Sequence, residues 1–332
     1  MKTPRVGIDN YGLLPLELSP MDTLRWAVAH GADGVAFSGL PPSDQEALDR
    51  ASLQAIAAFA RDHNLYLEWG GAQHVPRDMT SWDRKDVAGL NRRAARQAAT
   101  LGARVVRSCS GGLMRWTPDA PPTETLLRET ARALTEQRSM FRDFGVVLAI
   151  ETHFEFTSHE LVQLLEMCEA DPGDWLGICL DTMNLVTMIE DPVNGTMRLL
   201  PWVVSTHIKD GGALLSADGL TTFTAAIGEG VVDLRRVVSL LGSLAWQVHL
   251  SVEDHGGSFS VPIFDPLFLS RFPDLSCAEL ARVIRLAQLS AAIATCRPLN
   301  RDEWPRVCED RLARDVTALR ALASTVATRD PR

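Results

Sequence analysis

The sequence has little of what would send a chain to nucleic acid, into a membrane or into a disulfide scaffold. Among its 332 residues acids outnumber bases 42 to 33, a formal charge of -9, so nothing overall draws it to a polyanion. Nowhere do eighteen apolar residues run together, the minimum for a helical span, and residues 1–10 lack the apolar core of a secretory leader; a cytoplasmic protein with no membrane partner is expected. The six cysteines include no C-x-x-C pair and are too sparse for a disulfide framework, so they read as small core residues. No internal repeat, low-complexity tract or Gly/Ser linker divides the chain.

What is present is an ordinary globular balance, 46% hydrophobic and 23% charged, enough to bury a full core. Strand-like runs at 5–9, 34–38, 65–69, 104–108, 146–151, 176–181, 203–208 and 247–253 alternate with amphipathic stretches at 21–30, 44–64, 84–101, 123–144, 158–170 and 234–241. Alternation of this kind signals βα units around a parallel sheet. Eight such units predict an α/β fold, a single (β/α)8 TIM barrel over 1–257. A C-terminal helical extension over 258–332 is expected to pack on it, its Pro- and aromatic-rich start at 261–272 serving as a lid or oligomer contact.

Successive side chains of a strand face opposite ways, and the last four runs are sorted accordingly. One parity reads Val146, Leu148, Ile150; Leu176, Ile178, Leu180; Val204, Thr206, Ile208; Val248, Leu250, Val252, a face suited to burial under helices. The other reads Val147, Ala149, Glu151; Gly177, Cys179, Asp181; Val203, Ser205, His207; His249, Ser251, Glu253. Small or polar residues there lead up to one ionisable group at each C-terminal strand end, where barrel enzymes build their sites. Gly70-Gly71, Gly111-Gly112, Gly211-Gly212 and Gly256-Gly257 are expected just past strand ends, as turns or close approaches to a ligand.

Two glutamates, one aspartate and one histidine make a mostly oxygen ligand set. It suits one divalent ion, Mn²⁺ first, with Mg²⁺, Co²⁺ or Zn²⁺ as alternatives. The set is spread over four strands, so no local pattern encodes it.

Five segments carry a resemblance: Ala149-Ile-Glu-Thr-His153, Leu180-Asp-Thr-Met-Asn184, Thr206-His-Ile-Lys-Asp210, Ile227-Gly-Glu-Gly-Val231 and Ser251-Val-Glu-Asp254. In this order the chain resembles the xylose isomerase-like barrel superfamily of sugar isomerases, epimerases and lyases over residues 5–257. The resemblance to its ketose 3-epimerases implies that Glu151, Asp181, His207 and Glu253 bind the metal. It also implies that Glu151 and Glu253 act as the acid/base pair on opposite faces of the substrate. Asn184 and Lys209 fall where the family contacts substrate.

Further candidates for substrate contact are His153 and Glu155 beyond the first ligand, Glu68 and His74 near the third strand, and Trp69 and Trp116 as stacking surfaces. His255 is placed at the mouth and His249 deeper, as a satisfied core histidine. The function expected is metal-dependent isomerisation or epimerisation of an unphosphorylated sugar, since no phosphate loop is evident. The alternative is a metal-dependent lyase or dehydratase expelling a β-substituent from a keto-sugar or 3-keto-glycoside, which the long C-terminal extension favours. An apurinic-endonuclease-like activity is disfavoured by the acidic charge and the single ligand quartet, and a non-enzymatic subunit by the two inward glutamates. The expected partners are a small-molecule sugar and further copies of the chain, with a different subunit also open.

Overall fold

A computed structural model describes residues 4–329. Its barrel strands are β1 (Val6–Asp9), β2 (Gly34–Phe37), β3 (Tyr66–Ala72), β4 (Val105–Ser108), β5 (Val147–Glu151), β6 (Leu176–Asp181) and β7 (Val203–Ile208). A hairpin of β8 (Asp210–Ser216) and β9 (Gly219–Ala225) then intervenes before the last barrel strand, β10 (Leu250–Val252). All eight barrel strands run parallel, and β10 pairs with both β7 and β1 to close the cylinder. The fold is the (β/α)8 TIM barrel that the alternation of strand and helix patterns predicts.

The two parities separate as expected, with one exception. Leu148, Ile150, Leu176, Ile178, Leu180, Leu250 and Val252 join the large core between sheet and helices, while Val105, Ala149 and Cys179 pack together inside the cylinder. The exception is at the start of β7, where Val203 belongs to the outer core and Val204 packs on the inner cluster. The cause is a register shift: Ile178 lies opposite Val203, yet Cys179 lies opposite Ser205. One extra residue there flips the alternation locally, and from Ser205 onward it is restored.

The hairpin is unanticipated. With β11 (Ser258–Val261), β8 and β9 form a separate three-stranded antiparallel sheet. Gly211 and Gly212 are therefore strand residues rather than turn residues: a Cβ on Gly211 would run into the Phe223 carbonyl, and one on Gly212 into Ser290 and Cys296. Gly70 and Gly71 likewise lie within β3, which runs three residues past its expected end.

After β11 the chain forms the short helix Pro266–Leu269 and the helix Cys277–Ala292, which packs on β8, before the long helix Trp304–Arg329. That last helix packs on β1, β10 and the helix Leu234–Gly242, as the outer helix that follows the eighth barrel strand. Cys308, Leu312, Val316, Leu319 and Ala323 form its buried stripe, at the spacing one helix face requires. Trp304 ties it to the first strand's loop through an indole N–H donated to the Gly12 carbonyl at 2.9 Å. Among the described residues no helix is long and apolar enough to cross a membrane.

Candidate metal centre

The C-terminal ends of β5, β6 and β7 and the residue after β10 bring Glu151, Asp181, His207 and Glu253 together. One ligand atom from each lies within 4.8 Å of the other three, and all four residues are at most 5% exposed. Local sequence aligns these strand ends. The Thr152 hydroxyl accepts from the Asp181 N–H at 2.7 Å and donates to its carbonyl. Thr182 does the same one strand further on, toward the N–H and carbonyl of Lys209. Asp181 also caps the helix Thr182–Thr187, its Oδ1 accepting from Met183 and Asn184 N–H at 3.0 Å. Its Oδ2 is thereby left for the centre.

His207 Nδ1 lies 2.7 Å from Glu253 Oε2 and 3.4 Å from Glu151 Oε1, and its Nε2 lies 3.3 Å from Asp9 Oδ2. Lys209 Nζ is 2.8 Å from Asp181 Oδ2 and 3.1 Å from Glu253 Oε2, and the Arg107 guanidinium pairs with Glu151. These are contacts of charge without hydrogen-bond alignment. Glu151 Oε2, Asp181 Oδ2, Glu253 Oε2 and His207 Nδ1 are all buried with no hydrogen-bond partner. Buried polar atoms are nearly always bonded; four converging orphans, three of them carboxylate oxygens, fit a hard or borderline divalent cation.

The electrostatics show an excess of negative charge that protons or a cation must balance. Burial alone would raise the Glu151 pKa, but Arg107 and then His207 hold it well below the usual carboxylate range. Burial opposes ionisation of Glu253 too, and Lys209 and His207 overcome it. At Asp181 burial prevails over Lys209 and the pKa rises. Burial disfavours charge on His207, yet Cys179, Glu253 and Glu151 lift its pKa well above the imidazole value. Arg107 and Lys209 thus keep the two glutamates ionised.

The centre opens into a cavity of about 860 Å³. Arg107, Asn184 and Lys209 line it beside the two glutamates; Phe154, Phe223 and Phe259 give it an aromatic side, and residues 298–301 contribute to its outer wall. His153 and His255 also line it, and Asn184 Nδ2 donates to Glu151 Oε1 at 3.3 Å.

The other sequence candidates lie off this surface. Glu155 is buried behind the wall, its Oε1 accepting from Ser110 and Gly111 N–H at 2.8 and 2.6 Å, its Oε2 2.8 Å from His153 Nδ1. Glu68 does not line the cavity, because the longer β3 places it in mid-strand, where it accepts from Ser205 and lies 3.0 Å from His249 Nδ1. His249 is thus partnered, as expected. His74 is fully buried with Nδ1 3.0 Å from Ser108 Oγ, and burial lowers its pKa to about 4. Trp116 donates to the Ser260 carbonyl at 3.0 Å and packs against Phe154 and Phe259, so it supports the aromatic side from behind. Trp69 cannot stack on a ligand, being fully buried and bonded to Gln97.

Sequence reasoning missed Asp9 and Arg107. Asp9 was legible: it ends β1 on the inward parity, and its Oδ1 accepts from Tyr11 N–H at 2.8 Å and Ser38 Oγ at 2.6 Å. A carboxylate behind a metal-facing imidazole orients the ring. The Ile227–Val231 motif also finds its reason, since the Gly228, Gly230 and Val232 N–H groups donate to the Asp210 carboxylate. A Cβ at Gly230 would collide with that carboxylate.

Solved structures share this architecture at low sequence identity. The structure of an L-ribulose 3-epimerase matches with a TM-score of 0.57 at 19% identity, covering 99% of this chain and 100% of that one. That of a probable 3-DHS dehydratase, AsbF of Bacillus anthracis, matches with a TM-score of 0.58 at 15% identity, covering 82% and 99%. In sequence, 137 residues are 27% identical to the uncharacterized protein YihM of Escherichia coli strain K12, which is 41% of this chain and 40% of that protein. The chain thus matches well under half the length of that curated relative. The family model described as a xylose isomerase-like TIM barrel spans residues 24–268, most of the chain, and the protein belongs to that family.

Proposed function

We propose that the protein is a metal-dependent sugar isomerase or epimerase in which Glu151, Asp181, His207 and Glu253 hold one divalent ion, Mn²⁺ first among Mn²⁺, Mg²⁺, Co²⁺ and Zn²⁺. The observation that carries this reading is the convergence of four buried, unbonded ligand atoms, two of them from ionised glutamates, at the floor of a large cavity. When bound, such an ion would draw charge from a substrate carbonyl and its neighbouring hydroxyl and so make the adjacent C–H more acidic. Glu151 and Glu253 take a proton from one carbon and return it to the next or to the opposite face. Arg107 and Lys209 keep the pair ionised between turnovers, and Asn184 orients substrate hydroxyls, with His153 beside them on the cavity wall.

The cavity favours a second reading. Its volume of about 860 Å³ is near the top of the roughly 300–1,000 Å³ range of small-molecule sites, more than one hexose fills. The aromatic side gives an apolar substituent a place to lie. A lyase would begin with the same proton abstraction and then expel that substituent. Incubation with a panel of sugars and 3-keto-glycosides in D₂O, followed by NMR, tests both. Deuterium uptake without fragmentation supports the isomerase, release of a substituent selects the lyase, and a purified protein that retains no divalent metal sinks both.

A further inference from the structure

A second group of donors stands beside the first. Cys109 follows β4, and His153 and Glu155 follow the neighbouring β5. One ligand atom from each lies within 4.8 Å of the other two. We propose that Cys109, His153 and Glu155 form a separate, softer metal site that takes Zn²⁺, independent of the Glu151 centre.

Donor type is the first argument. The Glu151 centre offers three carboxylates and one imidazole, a hard set; this one offers thiol, imidazole and a single carboxylate, and thiolate sulfur selects zinc over magnesium, calcium and manganese. Spacing is the second. Zinc bonds of about 2.0–2.3 Å in tetrahedral geometry place ligand atoms roughly 3–4 Å apart. Here one donor atom from each residue lies within 4.8 Å of the other two. His153 Nδ1 is 2.8 Å from Glu155 Oε2 and Cys109 Sγ is 3.9 Å from the same carboxylate's Oε1, so an ion bound among them would part the His153–Glu155 contact by a few tenths of an ångström.

Support and access complete the case. Glu155 is 1% exposed and fixed by the Ser110 and Gly111 N–H groups, and backbone groups that orient a ligand in this way are the usual second layer of a metal site. Cys109 and His153 line the cavity, so the fourth position of a three-ligand zinc would face substrate, the arrangement of catalytic rather than closed structural sites. A second cation there would hold an oxygen or anionic group remote from the reacting carbons.

The proposal does not rest on the sugar-isomerase reading, and Co²⁺ separates the two. Reduced, metal-free protein titrated with Co²⁺ is expected to bind two equivalents, with a thiolate-to-cobalt charge-transfer band in the near ultraviolet. Cys109→Ser should lose the band and one equivalent, whereas Asp181→Asn should lose the other equivalent and keep the band. Should Cys109→Ser fold poorly by circular dichroism, alkylation of the Asp181→Asn protein decides. The tryptic peptide 108–115 contains Cys109 alone, and Zn²⁺ should slow its modification by iodoacetamide at least tenfold. A band that survives in Cys109→Ser, a wild-type titration with no band, or unchanged alkylation overturns the site.

Discussion

The two halves of the barrel end differently at the mouth. Strands β5, β6, β7 and β10 finish in, or lead directly into, the four residues whose ligand atoms converge. Strands β1 and β4 instead supply residues that touch those four from behind or beside: Asp9 against His207, and Arg107 against Glu151. The first half holds the donor atoms together with Lys209, which keeps Glu253 ionised, and the second adds the partners of His207 and Glu151. The difference shows why the donors were picked out from the sequence and their partners were passed over. A ligand quartet stands out by four ionisable strand ends in succession, whereas an orienting partner looks like any isolated charge.

The sharpest way to break this comparison is within the first half. Glu151→Gln and Glu253→Gln should each lower kcat by about 10²–10⁴-fold, the usual worth of a positioned acid or base, with unchanged circular dichroism; near-normal turnover in either removes its role. Crossing to the second half, Asp9→Asn should weaken metal affinity or activity by about 10–100-fold, measured by competition with a chelator. An effect as large as that of the glutamates would mean that Asp9 is itself a ligand.

Arg107→Gln sharpens the same contrast through pH. Against burial, Arg107 holds the Glu151 carboxyl low, so its loss raises that pKa and moves the acidic limb of kcat/KM to higher pH. An unmoved limb would leave Arg107 without an electrostatic role.

The smallest effect is expected far from the floor, at Asp315. Burial raises its carboxyl from 3.8 to about 7, despite Arg311 and the Ile227 N–H. A folded-state pKa above the unfolded one stabilises below the unfolded value and loses that stability as pH rises through the folded one. Melting temperature should therefore fall as pH climbs from 4 to 7, and Asp315→Asn should flatten the fall by a few degrees without altering metal content. An unchanged slope would show that Asp315 does not titrate in that window.

Most of the barrel could be read from residues because β-branched runs and parity are local signals that the fold keeps. Where the reading failed, the cause was a local pattern overridden by neighbours. Glu68 and Trp69 looked like strand-end residues because Gly70-Gly71 resembles punctuation, yet pairing carries β3 on to Ala72. Gly211-Gly212 misled in the same way and concealed the hairpin, whose glycines answer to a close-packed partner strand. At Val203–Val204 a register shift, which no single strand encodes, reversed two residues. The Glu151 quartet escaped these errors because each member sits at a true strand end and on the inward parity. Cys109, read as a small core residue, sits at a strand end too, but no parity row announced it.

The seam between β1 and β10 carries a consequence for the timing of synthesis. Val6 pairs with Leu250 and Ile8 with Val252, and Asp9 and Glu253 stand at the mouth end of that seam. At about 5–20 residues per second, a ribosome makes the first strand on the order of ten seconds or more before its partner. Until then the edge of β1 has no neighbour on that side and is open to mispairing. The pairing whose second strand is made last is also the one that brings the final carboxylate to the centre, so an ion held by the proposed quartet would be captured only by molecules that have finished closing.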